Sequence, residues 1–152
     1  MALKYRAILF LVILIWFTGI FTEWFIKYDE HLLIALPFLK KSYSLVCHQQ
    51  PAKLILFDGG ETLTCARCTG IYAGALISSF FLLFASKIKL PGIKFLFIPV
   101  IFMLGDIFLY SVHIYSYSKN IAFITGLLLG SAGFFYLYAG LKNLIIEIKN
   151  RE

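Results

Sequence analysis

Four long apolar runs constrain this chain more than any other feature of its sequence. They cover approximately residues 7–25, 66–86, 95–117 and 121–141. Each is close to the roughly 20 residues that an α-helix needs to cross the hydrocarbon core of a bilayer. Because no water is present there to satisfy the backbone, helix is the expected form of each run. The sequence therefore predicts an all-α, polytopic membrane bundle, a single membrane domain over residues 1–152 with about four transmembrane helices.

Composition supports this class. The chain is 61% hydrophobic and only 14% charged, whereas about a quarter of a typical soluble domain is charged. The net charge of +6 comes largely from basic residues at the ends of the apolar runs, where they are typical orientation signals. We therefore expect the lipid bilayer as the partner and no nucleic acid.

The basic residues also predict a topology. Lys4 and Arg6 precede the first run without an acidic neighbour. The link between the second and third runs and the C-terminus are basic as well. Cytoplasmic segments carry an excess of Lys and Arg. The expected protein is a multi-pass protein of the cell (plasma) membrane, with both termini cytoplasmic and the first loop outside.

The first loop, residues 26–64, is too long for a bare connection. Its segment 29–46 has leucines at helical spacing beside polar residues, which predicts a short helix on the membrane interface, bent at Pro37. The stretch at residues 57–60, Phe-Asp-Gly-Gly, is typical of a turn.

Three cysteines suggest a metal site at the outer face. Cys65 and Cys68 are three residues apart, which places both thiols on one helical face, and Cys47 lies upstream. Three thiolates and one imidazole are a common ligand set for zinc. The fourth ligand would be His48, which adjoins Cys47, or His113, near the outer end of the third run. The cofactor expected from this pattern is a zinc-like ion.

The same cysteines allow other interpretations. A disulfide or a redox-active Cys-x-x-Cys would suit an oxidising cell exterior, although three cysteines cannot all pair within one chain. The helix N-terminus and Arg67 both favour thiolate, which serves a redox thiol as well as a metal ligand. Unpaired thiols in the core are the third alternative.

A polar stripe is predicted on the third run. Tyr110, His113 and Tyr117 follow Asp106 at offsets of four, seven and eleven residues, so all four would share one helical face. A carboxylate inside a membrane is costly and often functional. The stripe could serve an ion or small-molecule transporter or channel, which would need a homo-oligomer. Alternatively, hydroxyl groups of the second run hydrogen-bond Asp106 and its role is structural.

The sequence assigns no reaction. Candidate catalytic residues are Asp106, Tyr110 and Glu61, the last as a base for water activated by the metal. The chain contains no HExxH string and no phosphate-cradling glycine loop, so no further cofactor site is expected.

Paired glycines predict helix contacts. Gly70 and Gly74 are four residues apart, as are Gly126 and Gly130. Small residues at this spacing let membrane helices approach closely.

Two motifs carry a family resemblance, which extends over residues 46–133. Cys47-His48-Gln49 and Cys65-Ala66-Arg67-Cys68-Thr69-Gly70-Ile71-Tyr72 resemble the prokaryotic membrane proteins grouped as domain of unknown function 2085. The resemblance implies a small multi-span bacterial or archaeal protein and supplies no established activity.

Overall fold

A computed structural model of the chain describes residues 3–28, 30–57, 60–84, 92 and 94–149. Helices make up most of these residues, which confirms the all-α class. In chain order the elements are α1 (Leu3–Gly19), α2 (Thr22–Ile26), α3 (Leu36–Ser44), β1 (Leu54–Phe57), β2 (Gly60–Cys65), α4 (Ala66–Phe84), α5 (Lys94–Ser111) and α6 (Lys119–Lys149). Short 3-10 turns, Glu30–Leu33 and Pro51–Lys53, precede α3 and β1.

Three helices of the described chain are long and apolar enough to cross a membrane. They are α4, α5 and the Lys119–Leu144 part of α6. The first helix, α1, has 17 residues and would span about 25 Å at 1.5 Å per residue. Its crossing of the bilayer stays a prediction.

The C-terminal end of α1 is closed by the loop that follows it. Ile20 is fully buried, and its carbonyl accepts a hydrogen bond of 3.0 Å from the Leu63 N–H. The hydroxyl of Tyr43, a residue only 1% exposed, donates to the Trp16 carbonyl at 2.5 Å. These contacts end the first helix at Gly19 and seat the loop on it.

The short helix predicted in the first loop is present as α3, preceded by a 3-10 turn, while Asp29 lies outside the described residues. Its position on the membrane interface stays a prediction. Pro37 stands in the first turn of α3, where a missing backbone N–H costs nothing. The proline therefore lies at the start of this helix, and the expected bend at Pro37 is wrong.

A β-hairpin that the sequence interpretation missed lies between α3 and α4. β1 and β2 pair antiparallel, with Leu54 opposite Cys65 and Phe57 opposite Gly60. Asp58 and Gly59, within the predicted turn, lie outside the described residues. Short apolar and β-branched runs on both sides of Asp-Gly are a hairpin signal that would have revealed the strands.

The glycine pairs join α4 to α6. A Cβ added at Gly70 would overlap the carbonyl oxygen of Phe123, and one added at Gly130 would overlap that of Ile71. Contacts advance in the same direction along both helices, which are therefore parallel and begin at the same end of the bundle. The predicted packing role of these glycines is confirmed.

Candidate metal centre

The three cysteines meet at the end of the bundle where α4 begins. Their Sγ atoms all lie within 4.8 Å of one another. Cys47 follows α3, Cys65 ends β2, and Cys68 lies in the first turn of α4. All three belong to the described chain and carry free thiols. The hairpin therefore brings a thiol from the first loop to a pair at the start of a helix.

Backbone contacts fix Cys47 against β2. The Cys65 N–H donates a hydrogen bond to the Cys47 Sγ at 3.2 Å. Gln49 adopts a left-handed backbone, with φ of 45°. Its side-chain amide donates to the carbonyl of Lys40 at 3.2 Å and to that of Leu63 at 2.8 Å. Gln49 thus holds the segment after α3 onto the hairpin.

The thiols share their protons unequally. Hydrogen bonds from the thiols of Cys65 and Cys68, and from the Cys65 N–H, lower the pKa of Cys47 despite its burial. The hydrogen bond to Cys47 correspondingly raises the pKa of Cys65. One sulfur is thus favoured as thiolate, the form that binds metals.

The histidines expected as a fourth ligand lie apart from this group. The metal-compatible cluster among the described residues consists of the three cysteines, and both His48 and His113 are exposed. Their role as ligands stays a prediction.

His113 has a structural role at the end of α5. It adopts φ of 60°, and its N–H donates to the Tyr110 carbonyl at 3.1 Å. The Ile114 N–H donates to the Leu109 carbonyl at 3.2 Å. This pair of bonds is a Schellman motif, which closes a helix with a left-handed residue, usually glycine.

The end of α5 corrects the predicted stripe. Because the helix stops at Ser111, His113 and Tyr117 do not continue its face. The Tyr110 and Tyr117 rings nevertheless meet, with centroids 5.6 Å apart. The Lys53 ammonium lies 4.9 Å from the first ring centroid and 5.4 Å from the second. These contacts tie the loop before β1 to the α5–α6 link.

Asp106 pairs with Arg67, which precedes Cys68 on α4. The guanidinium Nη2 donates to Asp106 Oδ2, and the Tyr115 hydroxyl donates to Asp106 Oδ1. The side chains of Arg67 and Asp106 are 18% and 4% exposed. Asp106 is five residues, or about 8 Å, from the end of α5, so it lies near the C-terminal end of the helix. Its role in transport stays a prediction.

Sequence reasoning missed the cation that pairs with Asp106. An acid within a membrane helix calls for a partner at its own depth. Arg67 begins a helix antiparallel to α5, so the two residues lie close to the same end. Comparing depths along the two runs would have identified the pair.

Glu61 lies in a different polar site. Its N–H donates to Glu23 Oε2 at 3.0 Å, and its side chain lines a cavity of about 180 Å³ together with Glu23, Lys40 and Gln49. Glu61 lies four positions before Cys65 on β2, a distance of about 13 Å. Its expected role as a base stays untested.

Comparison with known proteins agrees with the membrane architecture. The sequence pattern of a family described as "Predicted membrane protein (DUF2085)" matches residues 47–136. An uncharacterized protein of Methanocaldococcus jannaschii is 31% identical over 147 residues, covering 88% of this chain and 90% of the relative. No solved structure matches the chain. The matched region contains the three cysteines, Arg67 and Asp106.

Proposed function

We propose that this chain, which belongs to the DUF2085 family of membrane proteins, holds one zinc-like ion at the outer membrane face through the thiolates of Cys47, Cys65 and Cys68. The observation that carries the proposal is the approach of three Sγ atoms to within 4.8 Å. Tetrahedral zinc with Zn–S bonds of about 2.3 Å holds its sulfurs about 3.8 Å apart. Shifts of about 1 Å or less would therefore complete the site.

The ligand set limits the chemistry. Three thiolates on a divalent ion leave one negative charge, and one coordination position remains. A fourth protein ligand would make the site structural, whereas a position left to solvent or substrate is the form that catalytic zinc sites take. A bound ion would join the first loop to α4, since Cys47 comes from the loop and Cys68 from the helix.

Metal analysis tests the proposal. We expect about one zinc per chain in protein purified in detergent, and none in Cys65→Ser, because two thiolates hold zinc far more weakly. His31→Ala, a change at an exposed residue of the same loop, should retain the metal. Metal-free protein with three reactive thiols would contradict the proposal.

The fourth ligand is tested by the same analysis. His48→Ala and His113→Ala change the two histidines that the sequence predicts as ligands. Loss of zinc in one of them identifies the ligand. Retention in both leaves the three thiolates as the protein's ligands to the ion.

Thiol–disulfide exchange is the second candidate function, favoured by the lowered pKa of Cys47. A thiolate at neutral pH is the attacking species in such exchange. Oxidation would join two of the sulfurs, release two protons and pass two electrons to a disulfide or quinone at the outer face. Mass spectrometry would then show the reversible loss of two hydrogens in metal-free protein. A stably metal-loaded protein without any disulfide would argue against it.

The outer-face location rests on the basic residues at the ends of the spans. Lys4 and Arg6 at the start of α1 and Lys142 near the end of α6 would face the cytoplasm, consistent with the positive-inside rule. Reporter fusions to each terminus should be active on the cytoplasmic side of the plasma membrane. A membrane-impermeant thiol reagent should reach metal-free cysteines from outside. Reporter activity outside the cell would reverse the assignment.

A further inference from the structure

Two buried polar atoms near the cysteines have no hydrogen-bond partner among the described residues. They are the Arg67 Nε and the Tyr117 hydroxyl oxygen. An unsatisfied buried donor destabilises a fold, because it has lost its hydrogen bonds to water and gained none in return. Such groups in native structures call for a specific explanation, for example a bound water or ion.

Both residues belong to the surroundings of the thiols, since the charges of Cys65 and Cys68 act on Tyr117. Arg67 stands between Cys65 and Cys68 on the chain, and its Nη2 is occupied by Asp106. Burial raises the pKa of Tyr117 to about 12, and the charges of Cys65 and Arg67 act on the same hydroxyl. Tyr117 is therefore a neutral phenol at physiological pH and can donate its proton in a hydrogen bond.

The Tyr117 ring is held by contacts on its other side. The Tyr110 ring packs against it, and Lys53 lies over both rings. The hydroxyl takes no part in these contacts. Arg67 is held in a similar way, because its ion pair with Asp106 leaves the Nε–H unused. The two free donors are thus fixed by their neighbours before any ligand binds.

We propose that the Arg67 Nε–H and the Tyr117 hydroxyl donate hydrogen bonds to an oxygen atom of an exogenous ligand at the fourth position of the metal. This inference rests on the proposed metal site. The oxygen belongs to solvent water or hydroxide, or to a small oxyanion such as a carboxylate; all accept hydrogen bonds from these donors.

The local charges fit such a ligand. Arg67 and Asp106 offset each other, and Lys53, which lies over the Tyr117 ring, adds one positive charge to the single negative charge of three thiolates on a divalent ion. The surroundings are therefore close to neutral before the oxygen ligand binds. A neutral water or a singly charged anion can enter without a large electrostatic penalty.

Replacing the zinc-like ion with cobalt tests the metal site and its fourth ligand separately. Thiolate-to-cobalt charge-transfer absorption reports the cysteine ligands, and ligand-field absorption reports the fourth ligand. We would compare the wild type with Tyr117→Phe, and with Arg67→Lys, which keeps the charge but removes the Nε donor. Tyr28→Phe, at an exposed tyrosine, is the matched control. Formate is the oxyanion probe.

We expect both test variants to keep the charge-transfer absorption, which also shows that the site is folded, and to change the ligand-field absorption. Saturable formate binding in the wild type, weakened about fivefold or more by either variant, identifies an oxyanion site, because one hydrogen bond is worth about 1 kcal/mol. A changed ligand-field spectrum without a formate response identifies water or hydroxide.

Two results would overturn the inference while leaving the metal site in place. One is a ligand-field spectrum and formate response identical in the wild type and both test variants. The other is loss of the ligand-field pattern in His48→Ala or His113→Ala, since imidazole would then hold the fourth position. Absence of charge-transfer absorption in the wild type would instead refute the metal site itself, and with it the inference.

Discussion

Arg67 of α4 and Asp106 of α5 form an ion pair between residues 39 positions apart, and Arg67 directly precedes a cysteine of the thiol cluster. The pair therefore links the cluster to a helix that contributes no sulfur. The Tyr115 hydroxyl, on the remaining oxygen of Asp106, adds the α5–α6 link to the same group.

Asp106→Asn should destabilise the protein strongly. The change removes the charge that compensates Arg67, and breaking a buried ion pair from one side costs about 3–5 kcal/mol. Thermal unfolding in detergent measures the effect. The double variant Arg67→Met/Asp106→Leu leaves no charge uncompensated and should melt above the single variant. A single variant as stable as the wild type would show that the pair is not structural.

Gly130→Ala should weaken the contact between α4 and α6. Its new Cβ would overlap the Ile71 carbonyl, and backbone cannot yield as a flexible side chain can. We expect a clearly lower melting temperature in detergent. Gly133→Ala, on the same helix but with open space around its Cβ position, is the matched control. Equal melting temperatures for the two variants would contradict this helix packing.

The Glu23–Lys40 ion pair, 2.7 Å long, should make stability depend on acid pH. Burial alone would raise the pKa of Glu23, but hydrogen bonds from Lys40 and the Glu61 N–H lower it below its ordinary 4.5. A lowered folded-state pKa gives stability that is present above pH 4.5 and lost as the pH falls through the folded pKa.

The test compares unfolding at neutral pH and below pH 4.5 in two lysine variants. Lys40→Met should lose stability at neutral pH and show a flatter acid dependence. Lys41→Met, at the exposed neighbouring position on α3, should follow the wild type. Parallel acid profiles for wild type and Lys40→Met would show that the pair does not contribute.

His113→Gly should preserve or raise stability. The left-handed conformation at this position costs a residue with a Cβ about 1 kcal/mol relative to glycine. His113→Val should lower the melting temperature, because a β-branched side chain tolerates this conformation poorly. Destabilisation by glycine would mean that the contacts of the imidazole contribute more to stability than the relief of backbone strain at the helix end.

Part of the site was readable from local sequence. Cys65 and Cys68 could be placed close together because they are three residues apart at the start of a predicted helix, although Cys65 itself ends β2. The membrane class followed from the length of the apolar runs, since each run must satisfy its own backbone. The continuation of α5 to Tyr117 was wrong, because apolar periodicity does not reveal a left-handed residue that ends a helix.

By itself, the sequence determined a helical membrane protein with a thiol pair at the start of one helix, because hydropathy and helical period are properties of single segments. The tertiary structure decided that Cys47 joins the thiols and that Arg67 meets Asp106. Those meetings depend on hairpin register and on the packing of both α4 and α5 against α6. Such packing arises only when segments far apart in the chain exclude one another's volume and satisfy one another's hydrogen bonds.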